Sequence, residues 1–196
     1  QVSSVLGLIR PEVSQCPDPT IEQHLVRAIR TFCQNSRVWR EWLSEYIDEG
    51  IEEYPLEVDQ GEIFTISNMQ TDKGRSIRPV DYELPGQDND NMHALSGVLG
   101  YTFRLPSTLW IQGTPTQSEN VFFEAILRPK LDETEVPTWL LEQYEDAIVS
   151  GTLARLMLIA GKPWFNAELA SYHRRELERG VSRARADAMR RNTNKS

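Results

Sequence analysis

From Val136 to Arg191 the apolar residues keep a helical period that is broken once, by a short turn. Leu140, Tyr144, Ala147, Ile148, Gly151, Ala154 and Leu158 recur at the i, i+4, i+7 spacing of a buried helical face. Pro137 suits the first turn of this helix, where a missing N–H costs nothing. Leu153, Leu156, Met157 and Ile159 widen the face, so the second half is expected to be buried nearly all round. Gly161 is placed to stop the helix as a left-handed cap, and Pro163 keeps it from restarting. Asn166 is a good N-cap for a second helix. Leu169, Tyr172, Leu177, Val181, Ala184 and Ala188 give that helix a thinner stripe. Gly180 sits near its middle, where glycine costs roughly 1 kcal/mol against alanine and lets another backbone approach closely.

Residues 1–19 hold three prolines and no steady period, which predicts an ordered arm with room for a short helix near Ser4. Thr20 and Gln23 have the spacing of a capping box. Ile21, Leu25, Ala28, Ile29 and Phe32 then share one face of a first helix ending near Asn35. From Val38 the period changes to two. Val38, Trp39, Trp42, Tyr46 and Ile47 fit a half-buried strand or an aromatic edge. Ile51 to Val58 is a second strand, and Pro55 favours an edge position for it. Glu62 to Met69 alternates clearly, Asp72-Lys73-Gly74 is a hairpin signal, and Arg75 to Tyr82 returns as the partner. The polar stretch Asp81 to Gly97 reads as a long loop of the kind that is functional or disordered. Strands follow at Gly97 to Arg104, Thr108 to Gly113 and Asn120 to Pro129. The last is apolar in part on both faces, which predicts a central strand.

One helix, about seven short strands and two more helices define an α+β chain. The expected architecture is a three-helix bundle with an antiparallel β-sandwich-like insertion between helix 1 and helix 2. The boundaries follow: residues 1–37 for the arm and first helix, 38–130 for the β-rich insertion, 131–190 for the helical hairpin and 191–196 for a polar basic tail. The RRNTNKS end is expected to be disordered alone and ordered on binding.

The 196 residues are enough for a substantial core, and 39% hydrophobic with 26% charged residues is the balance of a soluble chain. No apolar run approaches a membrane span. Gln1 is not an initiator methionine, so a processed or trimmed start is expected; no basic-then-apolar signal segment is visible. Charge is uneven. Residues 174–196 carry eight Lys/Arg and three Asp/Glu, a net of +5, which leaves −13 of the total −8 on residues 1–173. The basic end either complements a helix dipole or docks on an acidic partner. The acidic body argues against general DNA binding, which requires neutralising phosphates.

Catalysis finds little support. There is no GxSxG, P-loop or dinucleotide fingerprint. His24, His93 and His173 are scattered, without metal-ligand partners at helical spacing. Cys16 and Cys33 make neither a disulfide framework nor a zinc site, and read as two reduced thiols, Cys33 partly buried. No cofactor or metal is expected. Acidic pairs such as Glu52-Glu53, Asp132-Glu133 and Glu145-Asp146 follow from 29 acidic residues and single out no dyad. The aromatics Trp39, Trp42, Tyr46, Tyr54, Trp110, Trp139 and Trp164 are either core or interface.

Three stretches carry a family resemblance: the hairpin with its GKPW turn and the Arg/Ala-rich helix that opens near Asn166; Cys16 to Glu41, CPDPTIEQHLVRAIRTFCQNSRVWRE; and Glu49 to Val58, EGIEEYPLEV. Together they cover about half the chain, and it resembles the head-to-tail adaptors of short-tailed bacteriophages. The shared positions are structural rather than catalytic. The resemblance implies a non-enzymatic virion protein, assembled in the host cytoplasm and placed in the neck. It implies a homo-oligomeric ring, of twelve copies, between the portal and the tail tube or nozzle. Double-stranded DNA would pass through an acidic lumen without specific binding. Arg183, Arg185, Arg190 and Arg191 would meet the portal, Trp164 would anchor an intersubunit or interdomain contact, and the loop around Asp88, Asn89, Asp90 and Asn91 would meet the tail. The free protein would be monomeric and assemble only on the portal. The rival from another class is a β-sandwich module binding a carbohydrate or peptide on a helical platform; a carboxylate-pair hydrolase is a weaker third.

Overall fold

The computed structural model describes residues 2–80, 98, 100–133 and 135–193; the side chains of residues 2, 3 and 191–193 are not described. The chain is mixed α and β, with four α-helices and antiparallel sheets among the described residues. It divides into two compact units, Gln1–Trp39 with Leu127–Ser196, and Arg40–Ile126.

The first unit is helical. A 3-10 turn, Val2–Val5, leads into the short helix α1 (Leu6–Ile9), followed by α2 (Asp18–Ser36), α3 (Thr138–Leu156) and α4 (Ala167–Thr193). The arm thus supplies a fourth helix to the three expected. Helix α2 also begins earlier than the capping box implied. Its N-cap is Pro17, without a side-chain cap, and Thr20 N already donates to Pro17 O at 2.9 Å. Two prolines, at positions 17 and 19, preset the first turn, so Thr20 lies inside the helix. Arg37, at φ 54°, ends it. The predicted face of Ile21, Leu25, Ala28, Ile29 and Phe32 is fully buried.

Helices α2, α3 and α4 each pack against the other two. Phe32 of α2 lies against Tyr144 of α3, with ring centroids 5.1 Å apart. Gly151 meets Ala28 and Leu177, and Gly180 meets Ala147. Helix α3 stops at Leu156, so Leu158 falls beyond it and is 57% exposed rather than buried. Gly161 is left-handed, as expected, but serves the turn rather than the helix end. Asn166 caps α4 as predicted, its Oδ1 accepting from Leu169 N at 3.0 Å. The α4 stripe is buried at Val181, Ala184 and Ala188, whereas Leu169 and Tyr172 are exposed. The helix runs to Thr193, past the boundary at residue 190; residues 194–196 lie outside the described residues.

Among the described residues the second unit holds seven strands: β1 (Arg40–Ile47), β2 (Glu53–Pro55), β3 (Glu62–Thr71), β4 (Ser76–Ile77), β5 (Gly100–Arg104), β6 (Thr108–Gln112) and β7 (Glu119–Arg128). They form two sheets, ordered β1-β7-β3-β4 and β2-β6-β5. Strand β7 lies inside its sheet, as its two apolar faces predict, and the Pro55 strand is an edge. The Asp72-Lys73-Gly74 hairpin is present, Gly74 at φ 73° and Thr71 N donating to Arg75 O. Its return strand is only two residues long because the chain then turns to the other sheet, where Val80 N donates to Tyr101 O at 2.8 Å. Gly100 must be glycine there: a Cβ would stand 2.7 Å from Arg78 O. Ile63, Met69, Leu109, Ile111, Val121 and Phe123 fill the interior.

Candidate interaction surfaces

Two grooves run along opposite flanks of α4. One has a volume of about 670 Å³ and is lined by Glu142, Glu145 and Asp146 of α3 and Glu176, Arg179 and Arg183 of α4. Leu8 and Tyr172 add exposed apolar surface to it. The other, of about 660 Å³, is lined by Arg155 of α3 and by Arg174, Leu177, Glu178 and Arg185 of α4. At 3.6 residues per turn, the α4 residues of the two grooves centre roughly half a turn apart.

The basic groove holds a cation that no described carboxylate neutralises. Arg155 is half-buried, and its Nη2 donates to Thr31 Oγ1 at 2.7 Å. Burial first, then the neighbouring Arg27, pushes its pKa down. Burial, Arg27 and Arg155 likewise hold the His24 imidazole below its ordinary value. Among the described residues no carboxylate pairs with Arg155.

The arginines expected to serve a portal are divided by the structure. Arg183 lies in the acidic groove, and Arg190 is exposed on α4. Arg185 instead closes the end of α2, its Nε donating to Asn35 O. Arg191 lies within α4, its side chain undescribed. Trp164, in the turn between α3 and α4, is half-buried, and its Nε1 is enclosed without an acceptor among the described residues. Asp88, Asn89, Asp90, Asn91 and His93 lie outside the described residues.

Two features of the β unit escaped sequence reasoning. Trp42 and Tyr46 on edge strand β1 are each 51% exposed, and Phe122 of β7, opposite Ser44, is 39% exposed. The alternation of β1 flagged these rings, but their joining with Phe122 depends on the β1–β7 register. Beneath them Glu124, 2% exposed, accepts from Arg40 Nη1 at 3.1 Å, Ser67 Oγ at 2.9 Å and Asn68 Nδ2 at 3.1 Å. A lone acid in the apolar run NVFFEAIL was its signal. No group of three or more His, Cys, Asp or Glu among the described residues could hold a metal ion.

The unit boundaries also partition the charge. Residues 40–126 carry five basic and sixteen acidic residues, a net of −11, leaving +3 on the helical unit. The profile of the SU10 adaptor protein family matches residues 2–196. The chain belongs to that family. SU10 adaptors are phage head-to-tail adaptors, so the protein is a bacteriophage structural protein of tail assembly. Membership implies contact with phage portal and tail proteins and a place in the virion neck. No described helix of this SU10 adaptor is long and apolar enough to cross a membrane. No curated protein matches the chain.

Proposed function

We propose that the protein forms a ring of twelve copies between the portal and the tail tube or nozzle, with a channel through which double-stranded DNA passes. The family match over residues 2–196 carries this reading. In it the protein has no catalytic role. Helices α2, α3 and α4 act as a three-helix bundle that builds the ring, with the β unit as a sandwich-like insertion. Arg190 and Arg191 meet the portal, and Trp164 anchors a neighbouring surface. The loop at residues 88–91 and the Trp42, Tyr46 and Phe122 rings meet the tail component. The net charge of −11 on the β unit suits a DNA passage, because an acidic surface repels phosphate.

Electron microscopy of the protein mixed with its portal, beside the mass of the free protein, tests this. The expected result is a monomer alone and a stoichiometric ring on the portal. A protein that ignores the portal sinks the reading. Glycan or peptide binding through Trp42 and Tyr46 would then favour a β-unit binding module.

A further inference from the structure

We infer that the two flanks of α4 are the two halves of one head-to-tail contact: the acidic flank of one copy packs against the basic flank of the next. This rests on the ring reading and supplies its interface. Two observations carry it. The two flanks carry exposed acids on one side and exposed arginines on the other. Their charges are opposite: four acids against two arginines on one flank, three arginines against one acid on the other. Each keeps charge without an ion pair among the described residues, although Arg174 pairs with Glu178 and Arg185 donates to Asn35 O. Glu142, Glu145 and Asp146 make no ion pair among the described residues, and Arg155 sits half-buried beside Arg27 without a carboxylate.

A half-buried guanidinium facing a second cation is an unfavourable arrangement that an incoming carboxylate relieves, because bidentate Arg–carboxylate pairs are among the stronger polar contacts. The apolar surfaces match as well. Leu8 and Tyr172 are exposed at the acidic groove and Leu158 at the basic one. Two different patches on opposite flanks of one rigid helix pair make a heterologous contact. Such a contact repeats from copy to copy and closes into a ring where the rotation between copies closes, as the ring reading requires, whereas an isologous one stops at a dimer. Complementary charge also fixes the direction in which copies add.

Charge reversal tests the pairing on full-length protein. One variant carries Glu145→Lys and Asp146→Lys; the other carries Arg174→Glu and Arg185→Glu, both of the basic groove. All four positions are exposed, and circular dichroism and melting confirm that each variant folds. Each is mixed with portal, and bound adaptor is counted by native mass spectrometry and electron microscopy. Each variant alone is expected to lose ring occupancy by about tenfold or more, because like charges then face each other at every contact. An equimolar mixture is expected to recover it, since every junction becomes complementary again. Wild-type ring formation falling with added salt is a second expected result. Full rings from either variant alone, or no recovery in the mixture, overturn the contact while leaving the ring reading intact. Absence of rings from wild-type protein on the portal overturns the ring reading itself.

Discussion

A Cβ added to Gly180 would stand 2.3 Å from the Cβ of Ala147, so α3 and α4 cross at the distance where only a hydrogen fits. Gly180→Ala is therefore expected to destabilise the protein despite alanine's better helix propensity, worth roughly 1 kcal/mol. Overpacking at a tight crossing typically costs about 1–3 kcal/mol. The melting temperature should fall by several degrees, as read by circular dichroism. An unchanged or higher value would mean that the helices separate freely at this point.

Glu124 ties strands β1, β7 and β3 together on the face that carries Trp42 and Phe122, through Arg40, Ser67 and Asn68. Glu124→Ala leaves the half-buried Arg40 and two amide or hydroxyl donors without their acceptor. Breaking a buried pair on one side costs about 3–5 kcal/mol. Urea denaturation followed by tryptophan fluorescence should show the loss, and Glu124→Gln, which keeps the shape and two acceptor contacts, should lose less.

Both described histidines hold a depressed pKa. Burial is the first cause for each, reinforced at His24 by Arg27 and Arg155 and opposed at His173 by Glu12 and Glu176. A depressed histidine binds fewer protons folded than unfolded, so stability rises with pH and is lost as pH falls through the unfolded value near 6.5. The melting temperature is expected to be lower at about pH 5.5 than at about pH 7.5. His24→Gln should flatten that slope more than His173→Gln, because no acid offsets the arginines at His24. A slope indifferent to His24→Gln would refute this.

The two thiols should differ in reactivity. Cys33 is fully buried, and burial pushes its pKa up to about 12. Cys16 is half-buried, its pKa raised chiefly by burial and opposed by Lys162. Reaction needs the thiolate and access to it. Native protein treated with iodoacetamide is expected to be alkylated at Cys16 only, and at both cysteines in denaturant, as read by mass spectrometry. Equal labelling of both in the native state would show that the α2 core opens readily.

Periodicity made the helical interior legible because burial in a helix follows spacing. The α2 face, most of the α3 face and the Asn166 cap were all visible that way. Strand β7 was legible from two apolar faces and β2 from its proline. Where the reading failed, spacing was silent about the neighbour. Leu158, Leu169 and Tyr172 keep the period, but no described residue covers them. The capping box at Thr20 matched a pattern that the prolines at 17 and 19 had already displaced. The interaction surfaces were less legible. Acids at 142–146 and arginines at 174–185 become two grooves only when α3 and α4 lie side by side. The Glu124 cluster likewise joins residues up to 84 apart in sequence. Arg185 looked like a partner contact and is engaged by Asn35, which no local pattern could announce.

The β unit leaves and re-enters the helical unit through neighbouring strands. Leu127 N donates to Trp39 O at 2.9 Å, and Arg40 pairs with Ile126. The two crossing points are therefore a tight turn apart. A chain closed there, without residues 40–126, keeps every residue of the α2–α4 core. The β unit is thus a detachable part of the chain: one helical frame can carry a different β unit, or none, without a cut through its own core.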